Sequence, residues 1–413
     1  MKILYLVHQF YPEYQTGTEK FVFNIAHMAQ KMGHKVKVIT YNVKSMNFFR
    51  NRIADVQYDT YFYEGLNVLA YRSDNEPANL HYDINANLAT EFAEEILRRE
   101  KPDLIHVGHL MRVYPLILAA QRLNIPYIIT LTDFHSICPK IILAPTKNSL
   151  CSGPSGGKTC KEFCDDLPEN YIKERLRITK DILLQARAVF APSKFLASVF
   201  DHEVEGLTVN VNHHGIPQPD IYIHRKHYNA GDKIRFGFLG YLAHHKGVHI
   251  LIEAYKKLQS SQASLSFFGS SSPEYMKTIK SMAKDTDIEF HGPYHSSDLP
   301  GIFDQIDVLV TPSINYETYL FVLHEAFIYE VPVIGTDLGG MKEKIEDDFN
   351  GFTFTAGDVN ELSSIMQKIV DNPEILNKLK TNIRNKMVIP IVEQEAYAYN
   401  LAYRALTNND SFV

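Results

Sequence analysis

The chain has no apolar run long enough for a membrane span: its start, ILYLV, is five residues long and polar punctuation follows. It reads as a first strand rather than a signal peptide or a spanning helix, which places the protein in the cytoplasm. Positive charge is not in excess either. With 42 Lys and Arg against 48 Asp and Glu, the net charge of −6 excludes broad electrostatic binding to nucleic acid or anionic lipid. No internal repeat or low-complexity tract stands out, and cysteine is scarce, with four in 413 residues. What remains, with 45% hydrophobic residues, is a soluble globular chain able to bury two cores of ordinary size.

Strands and helices alternate along it. ILYLVHQF reads as a buried parallel strand. Phe21, Ile25, Met28 and Met32 then fall at helical spacing, and Gly33 is placed to stop that helix before KVKVIT, giving a βαβ unit. Further strands are read at DLIHV, YIITL and AVFAPS, with an amphipathic helix from Ala86 to Arg99. A second series begins at IRFGFLG and runs through LSFFG, IEFHG, IDVLV and VPVIG, separated by helix-length segments. This pattern predicts an α/β chain of two doubly wound domains, 1–215 and 216–390. The change falls between about His213 and Lys233, where Pro217, Pro219 and Gly231 interrupt a polar stretch.

Glu317 and Glu325 stand either side of seven residues in PSINYETYLFVLHEAF. From Tyr319 to Tyr329 the apolar residues cover most of a helix circumference, so Glu325 is expected to be buried. A buried carboxylate without donors costs several kcal/mol or takes up a proton. Neighbouring hydroxyls of a ribose would supply such donors; a basic neighbour would do so in a purely structural role. Glu317 follows the strand IDVLV and is placed at the carboxyl edge of a sheet, where ligands of open α/β folds bind.

Glu317, Glu325, Ala326, the strand Pro332 to Ile334 and the turn Gly339–Gly340 together resemble the retaining glycosyltransferases of family 4, which have the GT-B fold of two Rossmann-like domains facing across a cleft. FYPEYQTGTEKF, KPDLIHVGHL, IPYIITLTDFHSICPK, APSKF and FGFLGYLAHHKGVHILIEAY match in the same order. The resemblance implies an acceptor-side first domain, a donor-binding second domain and a last segment, 391–413, whose helix crosses back onto the first. It assigns donor binding to Gly17, Lys246, Glu317, Leu320, Phe321, Val322 and Glu325, and catalysis to Glu317, Lys246 and Asp133. His109, Thr132 and His135 become candidate sugar contacts. Lys246 and the amides at the Leu320 helix start would neutralise the diphosphate, with His244 or His245 as supplements. The chain departs from the family pattern at Thr18, where a second glycine is usual, at Tyr241, where an arginine is usual, at Leu320, where a glycine is usual, and at Thr132, where a histidine is usual.

Cys138, Cys151, Cys160 and Cys164 all fall in one turn-rich stretch. The grouping points to a four-thiolate structural zinc site, with reduced free thiols as the other reading, since disulfides are not expected in the cytoplasm. No DxD-type motif argues for a catalytic cation, so no cofactor is expected in the chemistry. The reading is transfer of a sugar from a UDP- or GDP-linked donor to a hydroxyl of a sugar or lipid-linked sugar, in cell-surface polysaccharide or glycolipid synthesis. A lipid-linked acceptor would bring the protein to the inner face of the membrane. An epimerase or hydrolase of the same fold, and a non-catalytic sugar-nucleotide-binding subunit, are the alternatives.

Overall fold

The computed structural model describes residues 1–42, 49–76, 84, 89–144, 150–164, 166–218, 225–259 and 261–407. Two compact units are present: Met1–Gly215 together with the segment from Pro390, and Ile216–Ile389. Part of the stretch from His213 to Lys233, including Pro219, and the first turn of the helix expected from Ala86 lie outside the described residues.

In the first unit the strands are β1 (Lys2–Val7), β2 (Lys35–Tyr41), β3 (Asn51–Ile53), β4 (Val56–Tyr63), β5 (Leu66–Ser73), β6 (Leu104–Val107), β7 (Tyr127–Thr130), β8 (Val189–Ala191) and β9 (Val209–Val211). Among the described residues they form one sheet in the order β3-β4-β5-β2-β1-β6-β7-β8-β9. β5 to β9 pair in parallel, as in Leu4 opposite Lys37 and Ile105, while β3 and β4 add an antiparallel edge. The helix Gly17–Lys31 follows β1 and buries Phe21, Val22, Ile25, Ala26 and Ala29. Met28 and Met32, expected on that face, are only half-buried. The last helix, Val392–Thr407, lies on this unit, where Tyr403 bonds to Tyr5 and His106 and Tyr399 bonds to Thr130.

The second unit holds β10 (Ile234–Leu239), β11 (Ala263–Phe268), β12 (Glu289–Gly292), β13 (Val308–Thr311), β14 (Val333–Thr336) and β15 (Gly351–Phe354) in the order β12-β11-β10-β13-β14-β15, all parallel. Successive strand residues feed opposite faces. Phe236, Phe238, Val308, Val310 and Ile334 enter one core cluster, and Leu239, Leu309 and Val333 enter another. A parallel sheet covered by helices on both faces needs such two-sided apolar strands. In both units the strand order reverses beside the first strand, at β1/β6 and β10/β13, and that reversal opens a crevice at the carboxyl edge.

Candidate active site

Lys246 follows β10 and Glu317 follows β13, so the topology delivers both to the second unit's reversal point. The Lys246 ammonium donates to Glu317 Oε1 at 2.6 Å, and the Ser313 hydroxyl donates to the same oxygen at 2.6 Å. Thr336 Oγ1 in turn donates to the Ser313 carbonyl at 2.9 Å, and the Gly340 amide donates to the Glu317 carbonyl at 2.7 Å. Burial pulls the Glu317 pKa upward. The charge and hydrogen bond of Lys246, joined by the Ser313 bond, outweigh it and hold the carboxyl below its ordinary value. Gly247 turns the chain just after the lysine with φ of +69°, and a Cβ there would lie 1.8 Å from the Pro312 carbonyl oxygen. His245 is no second cation: burial first, then the adjacent Lys246 charge, lowers its pKa and keeps the ring neutral.

The helix expected over Tyr319 to Tyr329 spans Phe321–Ile328. Leu320 takes the extended N-cap position with no side-chain cap, and the Leu323 amide donates to its carbonyl at 3.2 Å. The helix opening therefore presents the Phe321 and Val322 amides with the positive end of the dipole. His324 holds that end, its Nδ1 lying 3.0 Å from the Leu320 carbonyl and its ring stacked on Tyr319. Glu325 is buried, 5% exposed, as its apolar setting requires. Its charge reinforces the effect of burial in raising the phenol pKa of Tyr294 and of Tyr329.

At the first unit's carboxyl edge, Gly17 is the first residue of its helix, and Thr18 Oγ1 donates to Thr132 Oγ1 at 3.1 Å. His109 Nδ1 accepts the Met111 amide, so its Nε2 carries the proton it shares with Asp133 Oδ2 at 2.8 Å. Asp133 also accepts the His135 amide at 2.8 Å. Thr132 and Asp133 are the half-exposed members of this group. Of the expected sugar contacts, His109 is buried and bonded to Asp133, and His135 is 1% exposed and packed against Arg175, its pKa lowered by burial and by that guanidinium; both line one small cavity with Thr132 and Asp133.

Two residues were missed in the sequence. Glu19 is fully buried, accepts from the Thr16 amide at 2.7 Å, and lies 3.7 Å from His8. The Thr16-x-x-Glu19 spacing is a capping-box signature that could have marked it. Ser313 had no such signal. The four cysteines, separated along the sequence, line one small cavity of about 10 Å³, and none is in a disulfide. Among the described residues no three His, Cys, Asp or Glu side chains are placed so that they could hold a metal ion.

The family model described as Glycosyltransferase Family 4 matches residues 15–217, and that described as Glycosyl transferases group 1 matches 221–386. The chain belongs to the family 4 glycosyltransferases. An uncharacterised glycosyltransferase of Methanocaldococcus jannaschii is 23% identical to it over 80% of this chain and 85% of that protein. The lipopolysaccharide 1,2-N-acetylglucosaminetransferase of Salmonella typhimurium is 22% identical over 40% of this chain and 48% of that one. Among solved structures, Anabaena HepE in complex with UDP and glucose superposes with a TM-score of 0.70, 18% identity, and coverage of 98% of this chain and 100% of HepE. Sucrose-phosphate synthase of Thermosynechococcus elongatus gives 0.74, with 16% identity over 99% of this chain and 100% of the other. This glycosyltransferase therefore has the GT-B fold with two Rossmann-like domains. Among its described residues no helix is long and apolar enough to cross a membrane.

Proposed function

We propose that this glycosyltransferase moves a hexose-like unit from a nucleoside-diphosphate sugar, UDP- or GDP-linked, to a hydroxyl of a sugar or lipid-linked sugar, with retention at the anomeric carbon. The observation that carries the reading is the Lys246–Glu317–Ser313 cluster at the strand reversal of the second unit, in the same unit as an uncapped helix opening and the buried Glu325. Lys246 and the Phe321 and Val322 amides hold the diphosphate, Glu325 accepts hydrogen bonds from the ribose hydroxyls, and Glu317 accepts them from the sugar. The bond between the anomeric carbon and the phosphate oxygen breaks as the acceptor oxygen bonds to that carbon from the same face. The acceptor proton passes to the departing phosphate. Lysine and amides stabilise the growing charge on that oxygen.

This scheme asks nothing of a divalent cation, so transfer should proceed without added magnesium or manganese. Synthesis of cell-surface polysaccharide or glycolipid is the setting that the Salmonella relative's substrate favours. UDP is the first nucleotide to test, because HepE was solved with it. A melting-temperature screen against UDP, GDP and ADP tests the donor site: the matching nucleotide at about a hundred times its dissociation constant adds roughly 2.7 kcal/mol of stability. Failure of all three to raise the melting temperature would remove the donor reading.

A further inference from the structure

The first unit contains a second constellation that the transfer chemistry does not use. Cys138 ends the turn leaving Phe134, its amide donating to the Phe134 carbonyl at 2.7 Å. Cys151 returns to the same place, its amide donating to the Leu143 carbonyl at 2.9 Å. Cys160 lies in the helix Lys158–Phe163 and Cys164 ends it, four residues on, its amide donating to the Cys160 carbonyl at 2.9 Å. That spacing puts the two on one face of the helix. Three separate pieces of chain, one of them a short helix, thus bring every cysteine of the protein to one cavity of about 10 Å³. The space is about that of a single small body.

We propose that Cys138, Cys151, Cys160 and Cys164 bind one structural zinc ion as a four-thiolate site. Soft sulfur donors in a set of four select zinc among abundant cations and satisfy it without an open position, which marks a structural and not a catalytic role. Binding releases four thiol protons and leaves a net charge of two minus on the site. Lys140 lines the same cavity, its ammonium paired with Asp166 at 2.9 Å. Among the described residues the thiols are not placed as a metal-holding group, so binding requires them to turn toward the cavity that they line.

The backbone gives the metal something to hold. Ile141 sits at φ of +70° and Leu143 at +49°, the first being a β-branched residue in the left-handed region. Such conformations are strained and persist only where surroundings over-determine them. Crosslinking Cys138 to Cys151, Cys160 and Cys164 through one ion would fix the stretch that carries them, five residues beyond Asp133.

The test is metal analysis of the full chain purified without chelator, with thiol titration before and after chelation. About one zinc per chain is expected, with the thiols slow to react until the chelator removes it. Cys160→Ser and Cys151→Ser should each lose the metal and lower the melting temperature. If either variant fails to fold, the wild type stripped of zinc and titrated with cobalt decides the matter. One equivalent giving a thiolate-to-cobalt charge-transfer band and strong visible bands of tetrahedral cobalt supports the site. No metal in the wild type, zinc retained by the serine variants, iron in place of zinc, or cobalt bound without the thiolate band would each overturn it. None of these readouts involves sugar transfer, so the outcome is independent of the proposed activity.

Discussion

Glu317 stays charged in a mostly buried place because two donors, Lys246 and Ser313, converge on one of its oxygens. A carboxyl whose folded pKa lies below its ordinary 4.5 adds stability that is present above that value and lost as pH falls through the lowered one. Glu317→Gln should therefore flatten the fall of melting temperature on acidification below the ordinary carboxyl value of 4.5, relative to wild type. Parallel acid limbs in the two proteins would contradict the pairing. Glu325 answers to a different measurement. Glu325→Ala should weaken nucleotide binding about tenfold or more, since hydrogen bonds to a charged group are worth about 1.5–3 kcal/mol, whereas Glu317→Ala should mainly lower turnover. Calorimetric titration with nucleotide diphosphate checks it, and unchanged affinity in folded Glu325→Ala would remove the ribose assignment. The burial of Glu325 was legible because a local apolar run dictates it. Its neighbour's pairing was not: Lys246 is 71 residues from Glu317, and only the adjacency of β10 and β13 brings them together.

At the scale of elements, the strand–helix alternation is readable because parallel strands buried on both faces leave continuous apolar runs. The edge ribbon β3–β4–β5 was passed over for a physical reason. β4 and β5 join through Glu64 and Gly65, both at positive φ, with Tyr63 opposite Leu66. Asn or Asp before the glycine is the usual hairpin signal, and glutamate hides it. The helix start moved from Tyr319 to Phe321 because Leu320 is extended. The turn after Lys246 is the element most sensitive to one substitution. Gly247→Ala would combine a left-handed backbone with a Cβ driven into the Pro312 carbonyl, so a loss of about 1–3 kcal/mol and weaker nucleotide binding are expected. Thermal melting with and without UDP reads both effects. Wild-type stability and affinity in this variant would show that the turn is not held as described.

For the whole molecule, two sheets with the same reversed strand order place polar groups at their carboxyl edges, and the second unit carries the more complete donor set. The histidines expected to meet the sugar from the first unit are buried and line one small cavity with Thr132 and Asp133; a histidine near a strand end reads the same in sequence whether it faces a ligand or the core. The amino-acid pattern shows the family and the carboxylates; which groups neutralise one another depends on contacts made only after folding. The most direct measurement is transfer itself. The full chain is incubated with a panel of nucleotide sugars and sugar or lipid-linked acceptors, and the product's anomeric configuration is read by NMR for wild type and Lys246→Ala at saturating donor. The account predicts a glycoside with the donor's configuration, one nucleoside diphosphate released per sugar moved, and turnover reduced about a hundredfold in Lys246→Ala. Epimerised or hydrolysed donor without conjugate, an inverted product, or near-normal turnover in Lys246→Ala would contradict it.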